Sequence, residues 1–231
     1  MNELLWLAML LVNFGAILIS YRIWGKAGLY LWIPIAVIIA NIQVTKTVEL
    51  FGLTATLGNI VYATSFLVTD ILSENYGKKD AARAVGMGFF SLIMLTILMN
   101  LALFFIPDSS DFAHDSLQAI FSIMPRIAIG SLAAYGISQL HDIWAYDFWK
   151  KRFPSIKFIW LRNNLSTIVS QLMDTLIFTI IAFWGVFETV VLIDIMITTY
   201  LLKWIVAVLD TPFLYIARGW HDRRVVDSDG I

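Results

Sequence analysis

The chain has 231 residues, 59% of them hydrophobic and 14% charged, with a mean hydropathy of +0.79 and a formal net charge of −1. Soluble domains carry about 25% charged residues, so this composition describes a polytopic membrane protein. The absence of cysteine excludes disulfides, a thiolate nucleophile and thiolate metal ligands. His114, His141 and His221 lack ligand spacing, and no basic stripe for nucleic acid is present, so no cofactor, metal or nucleic-acid partner is expected.

Seven apolar segments follow in order: residues 4–21, 29–44, 56–75, 81–106, 124–149, 163–187 and 190–217. Each approaches the ~20 residues that cross a bilayer as helix. Met1-Asn2-Glu3 puts no basic stretch before the first run, so that run reads as a retained span and not a signal peptide. The predicted architecture is an all-α bundle of about seven transmembrane helices in one domain, residues 1–231. Residues 1–28 hold an N-terminal span, 29–217 the core of the bundle, and 218–231 a tail.

Thirteen of the sixteen basic residues fall on one side of this count: Arg22, Lys26, Lys78, Lys79, Arg83, Lys150, Lys151, Arg152, Lys157, Arg162, Arg218, Arg223 and Arg224. Basic residues mark the cytoplasmic loops, which predicts a cytoplasmic C-terminus and an outside N-terminus. Tryptophans near span ends, Trp6 and Trp24 among them, read as interfacial anchors.

Polar residues inside the spans carry the chemistry, because lipid cannot satisfy them and they must face protein, water or a ligand. In the third segment Asp70 and Glu74 form an i,i+4 pair of like charge, with Lys78, Lys79 and Arg83 nearby to neutralise them. Gly77 reads as a helix stop and Asp80 as the next N-cap. In the fifth, Gln139 and Asp142 share a face, and Gly130 with Ala134 suits close helix packing. In the sixth, Asn164, Thr167, Gln171, Asp174 and Phe178 recur at steps of three and four. Asp174 and Lys203 lie near the middle of consecutive antiparallel spans, so they are expected to pair. Asn41 adds an amide. Carboxylates and amides without an arginine cluster suit a neutral or weakly cationic heterocycle, with Phe66 and Phe178 available to stack. Purines, vitamins and other small heterocycles all remain open on this evidence. HExxH, GxSxG and Walker motifs are absent, which argues against an intramembrane enzyme and places any ATP coupling on a partner.

The run Tyr62…Thr69-Asp70…Glu74…Tyr76-Gly77-Lys78-Lys79-Asp80-Ala81-Ala82-Arg83 resembles the signature of the queuosine precursor transporter family, also called the vitamin uptake transporter family. Arg126-Ile127-Ala128…Ser138-Gln139…Asp142, Asn164…Ser170-Gln171…Asp174-Thr175…Phe178 and Asp194…Lys203…Pro212 resemble it further, in order, over residues 41–214. The resemblance implies a bacterial inner-membrane importer of 7-cyano-7-deazaguanine and 7-aminomethyl-7-deazaguanine. It also implies a six-helix core like the substrate-binding components of energy-coupling-factor importers, with the first span added. Its implied substrate-binding residues are Asn41, Asp70, Glu74, Gln139, Asp142, Asn164, Gln171, Asp174 and Lys203. A homodimer in the lipid bilayer is one expected assembly. The alternative is a binding subunit of an ATP-energised importer, docked through Ala36 and Ala40.

Overall fold

In the computed structural model, residues 1–185 and 188–226 are described, except for the side chains of residues 53, 54 and 191. The predicted end of the sixth segment at Phe187 and the tail from Asp227 lie outside the described residues. The elements are α1 (Asn2–Gln43), β1 (Thr47–Leu50), β2 (Leu53–Thr56), α2 (Gly58–Asn75), α3 (Lys78–Ala102), α4 (His114–Phe121), α5 (Met124–Arg152), a 3-10 turn (Ile156–Phe158), α6 (Ile159–Phe183) and α7 (Thr189–Asp222).

Five helical stretches among the described residues are long and apolar enough to cross a membrane. Two local facts separate this from the seven predicted spans. The first two segments are joined in α1, whose 42 residues would run about 63 Å if straight. They do not run straight. Gly25, at φ 56° and ψ −137°, breaks the helix, and Ser20 Oγ donates to Gly28 O at 2.9 Å across the break. Met9 of the first limb then packs against Ala36 and Ala40 of the second, so the limbs fold back on each other. The third segment, α2, falls outside the five because so much of it is polar. Thr64, Ser65, Thr69, Asp70, Ser73 and Glu74 are all buried in it.

The turn in α1 is tight. A Cβ on Gly28 would sit 2.1 Å from Ser20 O, and backbone cannot give way as a flexible side chain can. Gly28→Ala is therefore expected to destabilise the protein by at least the ~1–3 kcal/mol typical of overpacking. Thermal unfolding in detergent measures it, and an unchanged midpoint would refute the close approach.

At one end of the bundle β1 and β2 form an antiparallel hairpin turned by Phe51 (φ 54°) and Gly52 (φ 78°). This hairpin was not among the predicted elements. Its signal is a two-residue turn ending in glycine between short alternating strands. Trp6 is buried edge-on near Phe51 at 6.1 Å, so it packs the hairpin and is not an interfacial anchor. At the other end the basic residues gather as the charge pattern predicted. Lys26 pairs with Asp80 at 3.6 Å, Lys78 with Asp147 at 3.3 Å, and the Arg22 guanidinium lies 5.1 Å from the Trp220 ring centre. α3 begins at Lys78, directly after Gly77 at φ 95°. Asp80 therefore sits in its first turn instead of capping it, and accepts a short hydrogen bond from Tyr30.

The central element is α2. Fifteen of its eighteen residues are buried, and it packs against α1, α3, α5, α6 and α7. A Cβ on Gly58 would lie 2.3 Å from Ala40 O, so glycine lets α2 approach the end of α1 at backbone distance. Leu10, Phe14, Ile17 and Tyr21 of the first α1 limb share the main apolar core with α2, so this limb is packed within the bundle.

Candidate functional site

The polar residues sort into layers because α2 and α6 run antiparallel, as do α5 and α6, each delivering one polar side chain per turn to the same interior. Nearest the hairpin end is a small cavity of about 30 Å³ walled by Asn41, Asn59, Tyr62, Ser131, Phe178, Asp174 and Lys203 among others. Asp174 is its hub. Lys203 Nζ lies 2.5 Å from Asp174 Oδ2, and both side chains are only 2% exposed. Tyr62 Oη donates to Asp174 Oδ1 at 2.5 Å and Ser138 Oγ at 3.2 Å. The Lys203 ammonium also lies 5.0 Å from the Tyr62 ring centre. The predicted Asp174–Lys203 pair is thus present. Both members line the cavity. Asn41 Oδ1 accepts from Ser131 Oγ at 2.9 Å on the opposite wall.

Towards the hairpin a much wider vestibule of about 730 Å³ opens between β2, α5 and α7, with Asp194, Thr198 and Thr199 on its polar side. Val44 borders both spaces, and Asn59 Nδ2 of the cavity approaches Thr199 Oγ1 of the vestibule at 3.5 Å. These contacts form the partition between them.

One turn deeper lie two fully buried glutamines. Gln139 Oε1 accepts from Thr69 Oγ1 at 3.0 Å, while its Nε2 and both amide atoms of Gln171 have no protein partner. Below them Asp70, Asp142 and Asp210 are all fully buried. Thr167 Oγ1 lies 3.4 Å from Asp70, and Asn163 Nδ2 donates to Asp210 at 2.7 Å. The last layer is ionic. Glu74 lies 2.8 Å from the wholly buried Arg162, 3.7 Å from Lys150 and 3.8 Å from Arg218, and accepts from Tyr146 Oη at 3.2 Å.

Of the nine predicted residues, the structure brings Asn41, Asp174 and Lys203 to the cavity, and Gln139 and Gln171 to the layer beside it. Asp70 and Asp142 belong to the acidic layer. Glu74 lies deeper still, neutralised by Arg162, Lys150 and Arg218 and not by the expected Lys78, Lys79 and Arg83. Lys78 instead pairs with Asp147. Asn164 stands apart, half-buried, donating to Trp160 O at 2.7 Å and Thr211 Oγ1 at 3.1 Å. Its neighbour Asn163 takes the interior position. Sequence reasoning passed over Asn163, Tyr62, Ser138 and the burial of Arg162. The signal for Arg162 was weak, because an arginine at the start of a span usually lies at the interface. Arg126 donates to Trp184 O at 2.8 Å. Among the described residues no cluster of histidine and acidic groups is placed to hold a metal ion.

The asparagine pair supplies a direct test. Asn163→Ala strips a buried carboxyl of its donor, which costs about 1–3 kcal/mol, whereas Asn164→Ala is expected to cost under ~1 kcal/mol. Chemical or thermal unfolding of both variants checks the order, and equal losses would refute it.

Comparison with known proteins places this arrangement in context. Residues 56–217 match the family described as "Putative vitamin uptake transporter". A "Probable queuosine precursor transporter" of Bacillus subtilis (strain 168) is 46% identical over 217 residues, covering 94% of this chain and 95% of that protein. The "Queuosine precursor transporter" of Escherichia coli (strain K12) is 27% identical over 63% of this chain and 62% of its own length. A "Probable queuosine precursor transporter" of Haemophilus influenzae is 26% identical over 58% of this chain and 54% of its own. No solved structure matches the chain.

Proposed function

Because this chain belongs to the vitamin uptake transporter family, we propose that it is a queuosine precursor transporter that imports 7-cyano-7-deazaguanine and 7-aminomethyl-7-deazaguanine. The observation that carries this reading is the Asp174–Lys203 cavity, placed between a wide vestibule and two glutamines whose Nε2 donors are unpartnered. A guanine-like edge offers adjacent N–H donors that a carboxylate accepts, and a carbonyl that an amide or ammonium answers. Tyr62 and Phe178 supply flat apolar faces. We assign base contacts to Asn41, Gln139, Gln171, Asp174 and Lys203. The 30 Å³ cavity holds about one water, whereas ligand pockets span about 300–1,000 Å³. Binding on this reading therefore moves the Val44 and Asn59–Thr199 partition and widens the space beneath it.

The topology proposed with this function has seven spans, formed by the two limbs of α1, by α2, α3, α5, α6 and α7, in the cytoplasmic membrane. The N-terminus is outside and the C-terminus inside. Residues 1–217 act as one unit, which sets aside the view of residues 1–28 as an addition to a six-helix core. Activity as a homodimer is part of the same proposal, and light scattering on the detergent-solubilised protein tests it. The second reading, an ATP-energised binding subunit, loses its docking surface. Ala36 and Ala40 are buried against Val61 of α2.

Titration calorimetry with the two deazaguanines, and with guanine and queuine as competitors, tests the substrate. Saturable binding of the deazaguanines is expected, and its absence overturns the assignment. Uptake restored by this protein alone in a host lacking both synthesis and transport would exclude the ATP-energised reading.

A further inference from the structure

Asp70, Asp142 and Asp210 are contributed by α2, α5 and α7, and each is 0% exposed. None of them forms an ion pair among the described residues; the neutral Thr167 reaches Asp70 and the neutral Asn163 donates to Asp210. Thr167 and Asn163, which reach Asp70 and Asp210, stand one turn apart on α6, so these two carboxyls lie at neighbouring turns of that helix. Asp70 Oδ1, both oxygens of Asp142 and Asp210 Oδ2 have no protein donor.

An independent observation comes from the turns above. Gln139 sits on the α5 face that carries Asp142, and Gln171 one turn from the Thr167 that reaches Asp70. Both are fully buried, yet their Nε2 donors find no carboxylate. Unpartnered donors thus stand one turn from unpartnered acceptors on α5, and on α6 one turn from the residue that reaches Asp70.

We propose that Asp70, Asp142 and Asp210 form a proton-binding cluster whose loading is coupled to passage of the substrate held in the adjoining cavity. A proton enters from the vestibule side with the substrate, rides on a carboxyl of the cluster and leaves towards the basic end. No covalent bond changes. Neutralising the cluster lets α2, α5 and α7 rearrange without exposing unpaired carboxylates to the bilayer interior. The charged and titratable groups packed around it are already committed. Glu74 from α2 is held by Arg162 of α6, Lys150 of α5 and Arg218 of α7. Tyr146 of α5 donates to Glu74, His141 bonds Ser170 at 2.9 Å, and Asp174 is held by Lys203.

This inference rests on the transport reading, and reconstituted protein separates the two. In proteoliposomes, exchange of labelled 7-aminomethyl-7-deazaguanine without any gradient tests transport alone. An acid-outside gradient of one pH unit is then imposed, which supports about tenfold accumulation per coupled proton. The wild type is expected to accumulate substrate and to acidify the lumen as it does so. Asp210→Asn is expected to keep gradient-free exchange but lose accumulation and lumenal acidification, and Asp142→Asn to lose accumulation and lumenal acidification. Accumulation that persists in both variants, or that follows a sodium gradient instead, overturns the proton cluster. Loss of exchange in the wild type overturns the transport reading itself. Should Asp142→Asn fail to fold, Asp210→Asn alone carries the test.

Discussion

Replacing Arg162 with alanine is expected to lower stability by about 3–5 kcal/mol, the cost of leaving one member of a buried ion pair alone. Arg162 is wholly buried, lies 2.8 Å from Glu74, and donates to the carbonyls of Phe153 at 2.9 Å and Pro154 at 3.2 Å. The same guanidinium thus neutralises α2 and ties down the connection from α5 to α6. Its loss strands Glu74, which is about 4% exposed, and leaves Lys150 and Arg218 as more distant substitutes. Arg162→Lys is expected to recover only part of the loss, since an ammonium cannot reach a carboxylate and two carbonyls at once. Thermal unfolding in detergent, with the wild type beside both variants, checks the order. A midpoint for Arg162→Ala close to the wild type would mean that Lys150 and Arg218 suffice.

The second large effect concerns the hub of the cavity. In Asp174→Asn the amide still offers an oxygen to Tyr62 and Ser138, but it opposes Lys203 with an N–H group. The ammonium is then unpaired at mid-depth, so both stability and substrate affinity are expected to fall. Adding Lys203→Met removes the stranded charge. Replacing both members of a buried pair by uncharged groups is often close to neutral for stability. The double variant should therefore regain most of the wild-type unfolding midpoint. It should not regain binding, and the deazaguanine affinity measured by calorimetry should stay at least ~10-fold weaker, or about 1.4 kcal/mol. Recovery of both in the double variant would show that the pair only packs α6 against α7. Recovery of stability without binding would assign the pair to the substrate.

These two residues also show where the sequence was readable. Asp174 and Lys203 were legible as partners because the cost of charge in a bilayer interior leaves consecutive helices little choice. Arg162 was counted only among the basic residues of the cytoplasmic side, since a span's first turn usually lies at the interface. Its burial depends on three chain segments that converge from α2, α5 and the loop before α6. Asn163 and Asn164 make the same point at finer scale. Steps of three and four place a stripe to within about one residue, and the helix rotation that put Asn163 inside was set by its contact with Asp210 on α7.

The sequence by itself determined the membrane class, the family and the Asp174–Lys203 pairing. Each follows from local composition or from a charge penalty that acts wherever the residue lies in lipid. The tertiary structure alone decided that α2 is the centre, that Gly25 folds α1 into two limbs, and that the polar residues separate into a cavity, an amide layer, an acidic layer and an ionic layer. The reason is that depth along a helix is written in the sequence at 1.5 Å per residue, whereas which helix faces which at that depth is fixed only when the bundle packs.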